Sequence, residues 1–122
     1  MDKIFVIHEH HASHLHWDLR FEDDNVLISF ALPKEPPLSR GIKHLAIKVA
    51  DHPLEYADFE GAIPQGNYGA GTVKIWDKGT YDLLKKDNSK YILYFKGKKI
   101  TGEYTLLKFA KAGENQWLFF KN

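Results

Sequence analysis

The chain has 122 residues, a net charge of +1 and no cysteine. That length suits a single domain, residues 1–122, closing one hydrophobic core without staples. The missing cysteines exclude a disulfide framework, a thiolate zinc site and a cysteine nucleophile, so any metal must be held by imidazole and carboxylate. The opening MDKIFVIHEHH lacks the apolar core and small-residue cleavage site of a signal peptide, and no stretch reaches transmembrane length. A soluble, cytoplasmic monomer with no membrane contact is the expectation.

Alternating apolar and polar residues run through the chain between clusters of Gly, Pro, Asn and Asp, which predicts short strands and little helix. The strands are placed at Phe5–His8, Leu15–Glu22, Val26–Leu32, Leu45–Val49, Thr72–Trp76, Tyr81–Leu84, Tyr91–Phe95, Tyr104–Phe109 and Trp117–Phe120. Glu22-Asp23-Asp24-Asn25 reads as a hairpin turn, and Asp77-Lys78-Gly79 and Lys96-Gly97-Lys98 read as later turns. Strands at this spacing predict an all-β fold, a compact β-barrel of about eight short strands with long connecting loops. The stretch from Asp51 to Gly71 carries two prolines and four glycines with little periodicity. Loops of that length inside a small domain are usually functional.

Five of the seven histidines fall within HEHHASHLH, residues 8–16. In the strand that follows, Leu15, Trp17, Leu19 and Phe21 share one face and His16, Asp18, Arg20 and Glu22 the other. Imidazole, carboxylate and guanidinium thus project in a row, roughly 7 Å apart by strand rise. His10 lies on the incoming segment and can fold back over the same face. Two imidazoles and one carboxylate suit manganese, iron or zinc and leave coordination positions open. Arg20 adds a fixed fork of the kind that grips phosphate. His8, His11 and His14 are read as surface or supporting residues.

A second group, Asp51-His52-Pro53-Leu54-Glu55-Tyr56, opens the long loop. His52 is a candidate general acid or phosphate contact, and the Tyr56 hydroxyl, four residues on, can reach the same oxygen. Asn67-Tyr68-Gly69-Ala70-Gly71-Thr72 lacks the Gly-Lys-Ser/Thr ending of a phosphate-cradling loop, so its glycines are assigned to tight turns. Split after Gly61, the first half has six basic against eleven acidic residues, a net −5. The second half has eleven against five, a net +6. A cation site beside a polyanion-binding surface would show such a division, as would an ordinary solvated surface.

Three segments, FVIHEHHASHLHWDLRFE, SFALPKEPPL and DHPLEYADFEGAIPQGNYGAGTVKIWDKGTY, resemble in order and spacing the 3′-phosphoesterase domain of bacterial DNA ligase D and its free-standing archaeal relatives. The resemblance covers roughly Phe5 to Tyr81. It implies a manganese-dependent β-barrel enzyme that removes a 3′-terminal ribonucleoside as a phosphodiesterase and then the 3′-phosphate as a phosphomonoesterase. Cobalt or zinc would also suit the site. By the same resemblance His10, His16 and Asp18 hold the metal, Arg20 contacts phosphate, His52 is essential, Tyr56 belongs to the active site and Lys34 supports it. The implied partners are DNA primer-template 3′ ends with ribonucleotide or phosphate termini, with a separate ligase and polymerase of end joining. Where the family commonly has a glutamate before Asp-His this chain has Ala50, and His8 and His44 replace a glutamine and a basic residue.

On this reading Lys74, Lys78, Lys96, Lys98 and Lys99 hold the DNA backbone and make binding salt-sensitive. Two rivals remain. His16-x-Asp18 with the later His52 also spells the two-histidine, one-carboxylate triad of an Fe(II)-dependent oxygenase. A DNA-end-binding module without catalysis would need the same surface. A cupin-like arrangement fits less well, because no acidic ligand follows His8-x-His10 at the expected offset.

Overall fold

The computed structural model describes residues 2–122. Nine strands follow one another: β1 Lys3–His11, β2 Leu15–Asp23, β3 Val26–Leu32, β4 Lys43–His52, β5 Gly61–Ile63, β6 Gly71–Asp87, β7 Lys90–Lys96, β8 Thr101–Lys108 and β9 Gln116–Lys121. All pair antiparallel in the order β1-β2-β3-β4-β9-β8-β7-β6, and β6 returns to β1, which closes an eight-stranded barrel. Closure leaves the barrel strands no open edge pair. β5 sits outside the ring on β6, pairing Gly61–Ile63 with Gly71–Val73. Among the described residues the only helical segments are two short 3₁₀ turns, Leu54–Asp58 and Ala110–Ala112. None is long and apolar enough to cross a membrane.

The expected all-β barrel is therefore present, with one correction in its middle. Thr72–Trp76 and Tyr81–Leu84 are not separate strands joined by a turn at Asp77-Lys78-Gly79; they are parts of one 17-residue strand, β6. Its residues 72–81 pair with β1 and its residues 80–87 with β7, and irregularities at Ile7/His8 and Leu83/Lys85 let it bend around the barrel. The Asp77 carboxylate, which looks like local turn chemistry, serves a distant turn. It accepts hydrogen bonds from the backbone N–H groups of Lys98, Lys99 and Ile100 at 2.9–3.1 Å, across the predicted Lys96-Gly97-Lys98 turn. The hairpin after β2 is as expected. Asp24 and Asn25 take φ of 49° and 66°, the pair of left-handed residues that a tight two-residue hairpin requires and that Asp and Asn tolerate.

Alternation sorts the two sides of the wall. Phe5 and Ile7 of β1, Trp17, Leu19 and Phe21 of β2, and Phe30 and Leu32 of β3 point into the barrel, where Phe95, Tyr104 and Phe119 complete the core. Outside, Val6 and Leu27 form a second, smaller apolar cluster. The segment after β4 covers it, laying Leu54, Tyr56 and Ala57 against Ile4, Val6, Leu27 and Ile75. The long loop expected from Asp51 to Gly71 is thus shorter and more ordered than its composition implies: β4 runs to His52, a 3₁₀ turn and β5 occupy its middle, and β6 begins at Gly71.

Candidate functional site

Register on the outer face of β1, β2 and β3 brings the polar residues together. His10 lies opposite His16, His8 opposite Asp18, and Asp18 and Arg20 face Ala31 and Ser29 across β3. β1 runs three residues beyond its expected end, so His10 projects from a strand rather than from a loose segment. His8, His10, Asp18 and Arg20 are all buried, although they lie outside the barrel, because the segment from residue 53 to 70 closes over them.

Asp18 Oδ2 is the centre of this wall. It lies 3.5 Å from His10 Nδ1, 3.3 Å from His16 Nε2 and 3.3 Å from Arg20 Nη2. The outer nitrogen of each imidazole is committed elsewhere: His10 Nε2–H donates to the Gly69 carbonyl at 2.7 Å and His16 Nδ1–H to the His14 carbonyl at 3.2 Å. In the neutral ring each inner nitrogen then carries a lone pair, the arrangement in which metal-ligating histidines are commonly oriented, whereas a protonated His16 donates Nε2–H to Asp18 instead. Ligand atoms of His10, His16 and Asp18 all lie within 4.8 Å of one another. Donor type, tautomer and spacing fit a divalent cation that accepts nitrogen and oxygen. Burial pushes the Asp18 carboxyl upward, but the His16 hydrogen bond and the Arg20 charge outweigh it and hold the group below the usual carboxylate range. The His16 imidazole is correspondingly raised, chiefly by its bond to Asp18.

Arg20 is held from three directions. Its Nε–H donates to His8 Nδ1 at 3.3 Å, Nη1 donates to His52 Nδ1 at 3.1 Å and Nη2 faces Asp18. Arginine only donates, so His8 Nδ1 bears no proton and His8 Nε2–H donates to the Phe59 carbonyl at 3.1 Å. Burial, and next the Arg20 charge, lower the His8 pKa to about 4, so the ring is neutral near pH 7. Of the five guanidinium N–H groups, those three contacts leave one on each η nitrogen. His52 is lowered by burial and by Arg20. The Ala50 carbonyl lies 3.1 Å from the same Nδ1 and competes for it. With Arg20 as donor, the His52 proton sits on Nε2.

Tyr56 is brought to the same place. Its ring lies 5.0 Å beneath the Arg20 guanidinium carbon, 4.7 Å from the His52 ring, and stacks on Phe59 at 5.0 Å. Burial raises its phenol pKa, so it remains a hydroxyl donor. His10, His16, Asp18, Arg20, His52 and Tyr56 thus line one cavity of about 280 Å³. Lys34 is exposed on the connection after β3 and does not line it. His52 bonds to Arg20 and stands outside the cluster of possible metal ligands, whose third member is His10, so the geometry does not assemble the oxygenase triad.

Three backbone carbonyls, of Gly69, His14 and Phe59, set the imidazole tautomers and have no signature in the sequence. Tyr68 lines the cavity mouth, and its place in a glycine-rich stretch is the one local sign of exposure. The lysine-rich half does not form an unpaired bank: Lys78 bonds Asp58 at 2.6 Å, Lys96 bonds Asp82 at 3.1 Å and Lys99 sits over the Trp76 ring at 4.7 Å. Since β6 pairs with β1, the acidic and basic halves interleave in space.

The chain is thus a small closed antiparallel β-barrel whose outer wall sets a cluster that could hold a cation against a buried arginine. Its family is settled by comparison. The family model of the DNA ligase D 3′-phosphoesterase domain matches residues 8–108, and the chain belongs to that family. It is 49% identical over 118 residues to the multifunctional non-homologous end joining DNA repair protein LigD of Mycobacterium tuberculosis, covering 93% of this chain and 15% of that protein. It is 42% identical over 125 residues to the multifunctional non-homologous end joining protein LigD of Pseudomonas aeruginosa, covering 96% of this chain and 15% of that protein. The chain therefore spans about 15% of the length of these relatives.

Proposed function

We propose that the chain is a manganese-dependent phosphoesterase that processes DNA 3′ ends during end-joining repair, removing a terminal ribonucleoside and then the 3′-phosphate. The observation that carries this reading is the shared Asp18 oxygen, within 3.5 Å of two imidazole nitrogens and a guanidinium. It sets a cation site directly against an anion clamp. Family membership and the end-joining names of the relatives support the substrate class.

His10, His16 and Asp18 would hold the metal. Bound there, a divalent cation supplies Lewis-acid charge stabilisation at phosphoryl oxygens and a water of lowered pKa. Arg20 offers its two remaining N–H groups as a fork to the nonbridging oxygens, already fixed by Asp18, His8 and His52. Because these donors are in place before reaction, they stabilise developing charge without reorganisation. His52 Nε2–H and the Tyr56 hydroxyl would donate to the oxygen that departs. Exposed lysines of the second half, Lys74 and Lys98 among them, hold the DNA backbone in this reading, and Lys34 supports the strand end from outside the cavity. A separate ligase and polymerase of end joining are the partners it implies.

The test uses purified protein with manganese and two oligonucleotides, one ending in a 3′-phosphate and one in a ribonucleotide. Product is expected with manganese and is expected to vanish with a chelator or in His16→Ala. Turnover that ignores both controls would falsify the assignment. Binding of primer ends that survives chelation, with no product in any sample, would instead favour an end-binding module.

A further inference from the structure

Tyr68 is 92% exposed, whereas the next most exposed large apolar side chain, Leu84, is at 52%. Yet it lines the mouth of the cavity that holds the metal-ligand cluster. A second, open depression of about 590 Å³ adjoins that cavity and shares Ala12 and Gly69 with it. Its side walls are His11, Ser13, Gln65 and Asn67. The loop that frames it depends on glycine. Gly66 and Gly69 take φ of +88° and +76°, and a Cβ on Gly71 would collide with the backbone at His11 and Ala12. Gly69 also accepts the His10 Nε2 hydrogen bond, so the rim of the groove is tied directly to the ligand cluster.

The chemistry of this groove differs from that of a surface that tracks a nucleic-acid backbone. No lysine or arginine lines it, and His11 is paired with Glu9 at 2.6 Å. A phosphodiester strand is bound through cations. Tyr68 lines the cavity side of the shared rim at Gly69 rather than the groove itself. Uncharged hydroxyl and amide groups with an open aromatic ring across that rim match a nucleoside, which offers sugar hydroxyls, base edges and a face for stacking. The neighbouring cavity, at about 280 Å³, falls just under the ~300–1,000 Å³ of pockets that enclose a small molecule. It has room for a cation and a phosphate, but not for a nucleoside as well.

We propose that the groove beside Tyr68 receives the 3′-terminal ribonucleoside, the part of the DNA end that leaves, with its base stacked on the Tyr68 ring. This rests on the function proposed above. In that reaction water adds to phosphorus and the bond from phosphorus to the ribonucleoside 5′ oxygen breaks. The departing oxygen takes a proton, leaving a free nucleoside and a 3′-phosphate on the strand. The groove holds the leaving group through this step and is empty when the 3′-phosphate itself is removed. Tyr68 therefore sets which of the two ends is preferred.

The experiment measures kcat/KM with manganese on a ribonucleoside-terminated and a 3′-phosphate-terminated oligonucleotide of the same sequence. Tyr68→Ala is expected to lower the ratio of the first to the second by about tenfold or more, the scale of one lost base stack. Tyr68→Phe keeps the ring and should restore the ratio, and Gln65→Ala should lower it less. In parallel, adenosine titrated into the wild-type protein should shift the amide resonances of residues 65–67, which line the groove and not the cavity, whereas inorganic phosphate should not. If the wild type turns over both ends and Tyr68→Ala lowers both equally, the groove holds the strand or nothing, and the inference is overturned. If the wild type turns over neither end, the underlying functional reading falls and the groove assignment with it.

Discussion

On β2 the inward Trp17, Leu19 and Phe21 sit in an apolar core, while the outward Asp18 and Arg20 are nearly as buried, at 5% exposure each, yet are held by polar partners and, for Arg20, the face of the Tyr56 ring. Burial has different origins on the two sides. Inside, the barrel closes on its own side chains. Outside, a segment from distant sequence covers the wall, supplying Tyr56, the Phe59 carbonyl and the Gly69 carbonyl. The interior groups are held chiefly by packing, with the Tyr81 and Tyr104 hydroxyls donating to the Glu22 and Pro37 carbonyls, and the exterior ones by specific hydrogen bonds, so the two regions should respond to substitution in separable ways.

The widest separation is expected between His16→Ala and Phe95→Ala. His16 is partly exposed and makes no core contact, so its loss should leave the unfolding free energy within about 1 kcal/mol of the wild type. With His16 a metal ligand as proposed, its loss is expected to cut turnover by roughly 10³-fold, since a bound metal stabilises charge by several kcal/mol. Phe95 is fully buried, with Phe5 at 4.9 Å and Tyr104 at 5.4 Å between ring centroids. Its replacement by alanine should cost about 3–5 kcal/mol in urea unfolding while turnover per folded molecule holds. Equal losses of stability in both variants would show that wall and core unfold as one unit.

Gly71→Ala probes the cover itself. The residue has φ +132° and no room for a Cβ, so the variant is strained by up to about 3 kcal/mol. The strain is relieved if the loop lifts away from β1. Hydrogen exchange is therefore expected to quicken across residues 64–71 before it does in β7 and β8. Exchange that rises equally in all three would mean that cover and barrel are not separable.

The same contrast explains what could be read from the sequence. Alternation in residues 15–22 identified the chemical face of β2, and Asp24-Asn25 identified its turn, because both signals are local. His10 and His16 follow from the hairpin that joins them. Asp77-Lys78-Gly79 misleads because its carboxylate, besides accepting from the adjacent Lys78 N–H, caps a turn 21 to 23 residues away. The three residues of β5 are too few to show a period. Alternation also sets His8 and His10 on one face, but nothing local reveals that His8 is sealed by Phe59, 51 residues on. Lys34 came from resemblance alone, and the fold leaves it outside the cavity.

His8 offers the finest test, because it belongs to the polar wall yet is fully buried like a core residue. Its pKa is lowered to about 4 from 6.5, so between those values the unfolded chain binds a proton that the folded chain refuses. Stability should fall as pH drops from 6.5 toward 4 and be fully present above 6.5. By linkage the loss from this one group amounts to about 2 kcal/mol at pH 5. Glutamine also carries an amide N–H donor and a carbonyl acceptor, suited to the Phe59 carbonyl and Arg20 Nε–H, but does not titrate. Urea unfolding of chelator-treated His8→Gln at pH 7.5 and pH 5 should therefore show a shallower acid loss than the wild type, with the difference near that figure. If the two proteins lose stability in parallel, His8 is accessible to protons in the folded state, and the cover does not seal the wall as the barrel seals its core.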